Sequence, residues 1–135
     1  MNPVLLDTHA LIWLMEGDQS LGQQSRQVAD TAVREDGLLV SAMSFWEVAM
    51  LAQRQRIMLS QPVRNWRQKV LELGIEEIPV SGDVGILAVE LENFHADPAD
   101  RVIAATTLAH GATLVTADAR ILEWPGSLVR HDARR

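Results

Sequence analysis

The fold class is decided by the stretch Val4-Leu5-Leu6-Asp7-Thr8-His9-Ala10-Leu11-Ile12-Trp13-Leu14-Met15. Its first three residues form a short apolar run that ends at an aspartate, and we predict a buried strand there. The six apolar residues 10–15 are long enough, together with their flanks, to form a buried helix. A strand that leads into a helix is the unit from which α/β folds are built.

The same alternation of strands and helices continues along the chain. We predict further strands over residues 38–40, 75–80, 113–116 and 127–129. We predict further helices over residues 20–35, 44–56, 63–73, 81–92, 98–111 and 118–122. Three of the strand candidates are apolar without the alternation of a half-exposed strand, as buried parallel strands are. The pattern therefore predicts an α/β fold with a central, mainly parallel sheet.

Composition limits the class of protein and the chemistry open to it. The chain has 135 residues, 47% of them hydrophobic, and no linker or repeat divides it, so we expect a single domain over residues 1–135. The absence of cysteine excludes disulfides, a thiolate nucleophile and a sulfur-ligated zinc or iron site. No signal-peptide pattern is found, and charges interrupt every apolar stretch well before about 20 residues. We therefore expect a soluble, cytoplasmic protein without a membrane partner.

The net charge of -6 points away from a protein that holds nucleic acid by a broad basic surface. Overall charge does not describe a local site, however, because acidic residues can be concentrated in one pocket while arginines surround it. A divalent cation among such carboxylates reverses the local sign of the charge. The acidic balance therefore leaves a nucleic-acid substrate open.

Four acidic residues fall where a predicted strand has just ended or a helix is about to begin. They are Asp7, Glu47, Asp100 and Asp118. The carboxyl ends of parallel strands lie along one edge of a sheet, and ligands of open α/β folds bind in the crevice there. We therefore expect the four carboxylates to converge.

A cluster of four carboxylates needs a cation. Each pair of charges about 5 Å apart is destabilised by roughly 3 kcal/mol at an effective dielectric constant near 20. Mg²⁺ or Mn²⁺ is the expected ion, since both prefer oxygen ligands and leave positions open for phosphate oxygens. The expected chemistry is metal-assisted hydrolysis of a phosphodiester bond.

Each acid taken singly also has an ordinary structural explanation. Asp7 and Asp118 can cap the helices that follow them. Ser44 and Glu47 fit the spacing of a capping box. The stretch Asp97-Pro98-Ala99-Asp100 has an acid at the cap position, proline at the first helical position and an acid at the third. Only the joint arrangement of the acids distinguishes a metal site from helix capping.

Several polar neighbours of these acids are candidates for orienting a carboxylate or contacting substrate. Thr8, Ser44 and Thr116 each lie within three residues of a candidate acid, so their hydroxyls can orient it. Arg101 can pair with an acid or with a substrate phosphate, and Asp97 is a fifth acid beside the cluster. The four histidines show no metal-ligand spacing.

The four acids occur in four segments whose order and spacing extend over nearly the whole chain. These segments are residues 5–13, 41–49, 95–105 and 114–118. In these segments the chain resembles the PIN-domain family and, within it, the VapC-type toxins of bacterial toxin–antitoxin pairs. The resemblance implies a three-layer α/β/α sandwich and an endoribonuclease that cuts RNA with Mg²⁺ or Mn²⁺. It also implies a homodimer that is inhibited by a cognate antitoxin. The implied catalytic and metal-binding residues are Asp7, Glu47, Asp100 and Asp118.

Two other functions fit part of the pattern. A phospho-receiver domain is also a single α/β domain with an acidic Mg²⁺-binding pocket, but it requires a lysine after the last core strand. The one lysine here, Lys69, falls within a predicted mid-chain helix. A catalytically silent PIN-like RNA-binding module would share the fold, and Mg²⁺-dependent RNA cleavage separates it from a nuclease.

Overall fold

A computed structural model describes residues 2–135, in which five strands form one parallel sheet. The strands are β1 (Val4–Leu6), β2 (Leu38–Ser41), β3 (Glu76–Ile78), β4 (Thr113–Thr116) and β5 (Arg130–Asp132). Their order across the sheet is β3-β2-β1-β4-β5. The helices are α1 (Thr8–Glu16), α2 (Gln23–Arg34), α3 (Ala42–Gln53), α4 (Val63–Glu72), α5 (Gly82–Glu90), α6 (Pro98–Ala109) and α7 (Ala119–Leu122). The predicted α/β fold with a central parallel sheet is confirmed.

Helices cover both faces of the sheet. Successive residues of a strand point to opposite faces, so each strand contributes side chains to both layers of the core. Leu5 and Leu114 are fully buried with residues of α6 and α7 on one face. Leu6 and Val115 are fully buried with residues of α1 to α4 on the other face. Burial on both sides explains why the strand sequences are continuously apolar. The three-layer sandwich is therefore the arrangement of this chain.

The last strand lies later in the chain than predicted. We expected it over residues 127–129, but β5 begins at Arg130 and pairs in parallel with β4. Leu128 is instead buried in the core beside α6 and α7, and Val129 is exposed. Because β5 is an edge strand, it is only partly buried and does not need an apolar sequence.

The third helix begins earlier than predicted. It starts at Ala42 and is capped by Ser41, whose Oγ accepts the N–H of Met43 at 3.1 Å. Ser44 lies inside the helix and is fully buried. The capping box that we predicted for Ser44 and Glu47 is therefore wrong, and Glu47 is free of that capping role.

The second helix begins later than predicted. We expected it to start at residue 20, whereas α2 starts at Gln23 after Gly22. The N–H of Ser20 instead donates to Oδ1 of Asp18 at 2.8 Å, in the turn that precedes the helix. Within residues 2–135, none of the helices has the length and apolar character needed to span a membrane.

Candidate active site

The four predicted acids lie at the carboxyl edge of the sheet. Asp7 directly follows β1, and Asp118 follows β4 after one residue. Glu47 lies in the second turn of α3, which follows β2, and Asp100 lies in the first turn of α6. The negative charge of Asp100 acts on Asp7 and Glu47, and that of Asp118 acts on Asp100. The fold therefore brings the four carboxylates into one electrostatic group.

Asp7 is nearly inaccessible, with only 8% of its surface exposed. Its Oδ1 accepts the N–H of Ala10 at 2.8 Å, so it does cap α1. Burial raises the pKa of Asp7 to about 6, although hydrogen bonds from Thr116 and Ala10 act in the opposite direction. Capping therefore does not account for the whole environment of Asp7, whose negative charge remains costly at neutral pH.

Thr116 connects two of the acids. Its side chain is fully buried at the end of β4. Its Oγ1 accepts the backbone N–H of Asp118 at 3.1 Å. The nearby Thr116 hydroxyl also lowers the pKa of Asp7, against the effect of burial. Thr116 therefore lies beside two of the candidate acids, and its role in orienting them stays a prediction.

Glu47 faces the same edge from α3. Partial burial raises its pKa, and repulsion by Asp100 and Asp97 adds to the rise. A hydrogen bond from Thr8 opposes it. The hydroxyls of Thr8 and Ser44 are both buried and lie 3.0 Å apart. Thr8 and Ser44 thus form a buried hydroxyl pair beside the Glu47 carboxylate.

Asp100 is paired with a histidine that sequence reasoning did not select. Nε2 of His95 lies 2.6 Å from Oδ2 of Asp100, and both side chains are mostly buried. Burial raises the pKa of Asp100, and the hydrogen bond from His95 opposes this while the charges of Asp97 and Asp118 reinforce it. The net effect is a carboxyl group whose pKa lies above its ordinary value.

Asp118 is paired with a second residue that sequence reasoning did not select. Nη2 of Arg120 lies 2.9 Å from Oδ2 of Asp118 and 3.6 Å from Oδ2 of Asp100. Burial alone would raise the pKa of Asp118, but hydrogen bonds and charge from Arg120 outweigh it, so the pKa is lowered. Asp118 also caps α7, since its Oδ1 accepts the N–H of Arg120 at 2.8 Å.

Among the described residues 2–135, one group of side chains is close enough to share a metal ion. Ligand atoms of His95, Asp100 and Asp118 all lie within 4.8 Å of one another. Asp7 and Glu47 lie outside this tight group. The proximity of His95 in the sequence, five residues before Asp100, was the one available signal for this contact.

Asp97 and Arg101, the two remaining candidates, make different contacts. Asp97 caps α6, because its Oδ1 accepts the N–H of Asp100 at 3.0 Å. We expected Arg101 to pair with an acid or a phosphate, but in the structure it is engaged by main-chain carbonyls. Its guanidinium donates to the carbonyls of Ala88, Val89, Leu91, Phe94 and His95. Arg101 therefore fixes the loop that carries His95.

A cleft of about 230 Å³ opens beside the acids. The residues that line it are Asp7, His9, Trp13, Ala117, Asp118 and Arg134. The cleft thus joins two of the candidate acids to a surface that carries an arginine and an aromatic ring.

The donor set fits a divalent cation. Asp7, Glu47 and Asp100 each have a pKa raised by burial, with repulsion from a neighbouring carboxylate in the same direction. Positive charge at this edge would relieve that repulsion. Carboxylate oxygens predominate over the single imidazole of His95, and such a set is typical of Mg²⁺ and Mn²⁺ sites rather than of soft metals.

Comparison with known proteins shows the family of the chain. The sequence model of the PIN-domain family matches residues 4–126, which is most of the chain. The chain belongs to the PIN-domain family. This PIN domain is 39% identical over 122 residues to Ribonuclease VapC22 of Mycobacterium tuberculosis, a match that covers 90% of this chain and 91% of the relative. Membership of this family sets the phospho-receiver alternative aside.

Solved structures share the fold of this PIN domain at low sequence identity. A chain in the crystal structure of DNA-bound VapBC from Salmonella typhimurium superposes with a TM-score of 0.69, at 16% identity and with 98% of each chain covered. A chain in the FitAcB structure from Neisseria gonorrhoeae has a TM-score of 0.61 at 20% identity, covering 96% of this chain and 97% of that chain. These likenesses establish the fold.

Proposed function

We propose that this PIN domain is a metal-dependent endoribonuclease that hydrolyses RNA phosphodiester bonds as the toxin of a VapBC-type toxin–antitoxin pair. The observation that carries the proposal is that four carboxylates lie at one sheet edge and act electrostatically on one another. They are those of Asp7, Glu47, Asp100 and Asp118. A relative named as a ribonuclease, 39% identical over nine-tenths of the chain, supports it. We further propose that residues 1–135 form a single functional domain.

Mg²⁺ or Mn²⁺ is the proposed cofactor, held by the four carboxylates. Such an ion supplies positive charge for phosphate oxygens and lowers the pKa of water in its coordination shell. The raised pKa values of Asp7, Glu47 and Asp100 support this assignment, because carboxyl groups that repel one another gain most from a nearby cation.

The residues of the chain have separate tasks in this proposal. The pKa of Asp7 is raised by burial to about 6, so its carboxyl group is mostly ionised at neutral pH. The buried hydroxyl of Thr116, which lowers the pKa of Asp7, would orient the Asp7 carboxylate. His95 fixes one oxygen of Asp100 by the contact of 2.6 Å. Buried Thr8 supports Glu47 in the same way from α1.

We propose a cognate antitoxin as the protein partner. The contacts of Arg120 support this idea, because its guanidinium already lies between Oδ2 of Asp118 and Oδ2 of Asp100. A basic side chain delivered by a partner is chemically suited to the same carboxylates. It would neutralise the acids and cover the place where substrate must bind.

We also propose a homodimer. Large apolar side chains remain exposed on the surface of this chain, including Trp46 on α3 and Ile86 and Val89 on α5. Exposed apolar groups of this size are typical of surfaces that become covered in an assembly.

Expression in a bacterial host tests the proposed function directly. The chain is expressed alone, with the adjacent upstream reading frame, and as the Asp100→Asn variant, and new RNA 5′ ends are mapped in each culture. We expect growth arrest and discrete new ends only for the wild-type chain expressed alone. Equal RNA ends in the wild type and the Asp100→Asn culture would contradict the nuclease assignment.

A further inference from the structure

The C-terminal segment 127–135 lies outside the residues that match the PIN model, yet its backbone is held firmly. Ala133 is fully buried, and its N–H donates to the carbonyl of Thr116 at 2.9 Å. Its own carbonyl accepts a backbone N–H from the residue that precedes α2, at 2.8 Å. The carbonyl of Arg135 accepts two hydrogen bonds from the first turn of α2. These contacts fix the backbone on both sides of Arg134.

Arg134 directs its guanidinium to the cleft beside the acids. Its Nη1 donates to the carbonyl of Ala117 at 3.0 Å, and its Cζ lies 5.5 Å from the centroid of the Trp13 ring. Within residues 2–135, no carboxylate oxygen lies within 4.0 Å of this guanidinium. The side chain is exposed. Arg134 is thus an oriented cation with no acidic partner in the described part of the chain.

The aromatic ring limits the positions open to this cation, whose Cζ lies over the ring of Trp13. The N–H donors of a guanidinium lie in one plane, where a pair of them matches two oxygens of a phosphate. Ala117 takes one donor of Arg134, and the others remain for a ligand. Trp13 therefore acts as the support on which Arg134 is held, and an anion can approach the free edge.

The neighbours of Arg134 in the cleft define the kind of anion. Asp7 and Asp118 line the same cleft and belong to the proposed metal centre, where one phosphate is to be cut. A ligand that contacts both Arg134 and the proposed metal centre must carry at least two phosphate groups in sequence. A polynucleotide has this property, whereas a phosphomonoester does not.

We propose that Arg134, supported by Trp13, binds the RNA phosphate adjacent to the one that is cut. This subsite rests on the proposed ribonuclease function and specifies how the substrate lies in the cleft.

Binding of a defined RNA tests the subsite. The probe is a single-stranded RNA oligonucleotide that spans a cut site mapped in the expression experiment, with Ca²⁺ in place of Mg²⁺ to slow cleavage. The Arg134→Gln variant is compared with the wild type and with Arg64→Gln, which makes the same charge change at an exposed position of α4. We expect Arg134→Gln to weaken binding about tenfold, as the loss of one charged contact does. The slope of log affinity against log salt should also become smaller in magnitude, by about 0.7. Arg64→Gln should bind as the wild type does.

A single change in the RNA then locates the contact. Replacing the phosphate next to the cut by a neutral methylphosphonate should weaken binding by the wild type and cause no further loss in Arg134→Gln. If this replacement weakens both proteins equally, or if Arg134→Gln binds the unmodified RNA with the affinity and salt slope of the wild type, the subsite is wrong.

Two other outcomes separate the subsite from the proposed function. If Arg134→Gln binds RNA normally but loses affinity for the antitoxin, Arg134 belongs to a protein interface and the RNA subsite is overturned. If the wild type neither binds nor cuts any RNA, the proposed function itself fails, and the subsite fails with it. Circular dichroism and the melting temperature establish that each variant is folded.

Discussion

Nε2 of His95 lies 2.6 Å from Oδ2 of Asp100, and this contact joins a loop residue to an acid in the first turn of α6. Partners of this kind orient a metal ligand, and their removal commonly weakens metal binding by about 10-fold to 100-fold. We predict that His95→Ala lowers the affinity for Mn²⁺ by about tenfold or more, measured by isothermal titration calorimetry.

The matched control for this change is His110→Ala. His110 lies at the other end of α6, where its ring nitrogen contacts the Thr106 carbonyl. This variant should bind Mn²⁺ as the wild type does. Equal Mn²⁺ affinity in His95→Ala and the wild type would show that His95 has no part in the metal centre.

Asp7→Asn should make the metal-free protein more stable at neutral pH. The pKa of Asp7 rises from 3.8 to about 6 on folding, so the folded state holds this proton more tightly than the unfolded state. The wild type therefore loses stability as the pH rises from about 4 to about 6, by at most about 3 kcal/mol. Asparagine keeps the helix cap without the charge.

Urea unfolding in EDTA at several pH values measures this effect. The stability difference between Asp7→Asn and the wild type should be small near pH 4, grow through pH 5 and level off above pH 6. RNA cleavage by the variant should be lost over the whole range. A difference that is constant with pH would show that the Asp7 carboxyl does not titrate as described.

Arg120→Ala should increase the affinity of the acids for a divalent ion. The guanidinium contacts Asp118 at 2.9 Å and Asp100 at 3.6 Å, so it competes with a cation for the same oxygens. We predict a Kd for Mn²⁺ that is several-fold lower in Arg120→Ala than in the wild type, at low ionic strength. Arg64→Ala, which removes a charge from α4, is the control, and weaker Mn²⁺ binding by Arg120→Ala would contradict the competition.

Gly22→Ala should destabilise the fold by about 1 to 3 kcal/mol. A Cβ atom at Gly22 would overlap the backbone of Arg135, and that backbone is held by α2. In contrast, a Cβ at Gly85 inside α5 meets nothing within 4 Å. Gly85→Ala should therefore stabilise the protein by about 0.5 to 1 kcal/mol, because alanine favours a helix. Chemical denaturation measures both, and equal effects would show that the C-terminal segment is not tightly packed there.

The positions of the acids were predictable because they follow from strand ends and helix starts. Asp7 after β1 and Asp118 after β4 are set by local sequence together with the rule that parallel strands end at one edge. Their capping role was also predictable, since Asp7, Asp97 and Asp118 each accept an N–H from the helix that follows.

The partners of the acids were not predictable in the same way. His95 reaches Asp100 because Arg101 holds the loop by hydrogen bonds to its carbonyls, which is a tertiary arrangement without a periodic signal. The contact of Arg120 could have been predicted from the sequence, since Arg120 lies in the helix that Asp118 caps. The edge strand β5 lies three residues later than the segment that we predicted, because an edge position does not require an apolar run.

Cleavage of RNA by the purified protein under controlled metal conditions tests the central claim, that these carboxylates hold the ion on which hydrolysis depends. The wild type should cut a mapped RNA with Mg²⁺ or Mn²⁺, stop in excess EDTA, and resume when the metal is restored. Folded Asp100→Asn and Glu47→Gln should not cut under any of these conditions. Cleavage that persists in EDTA, or wild-type rates in either variant, would contradict the claim.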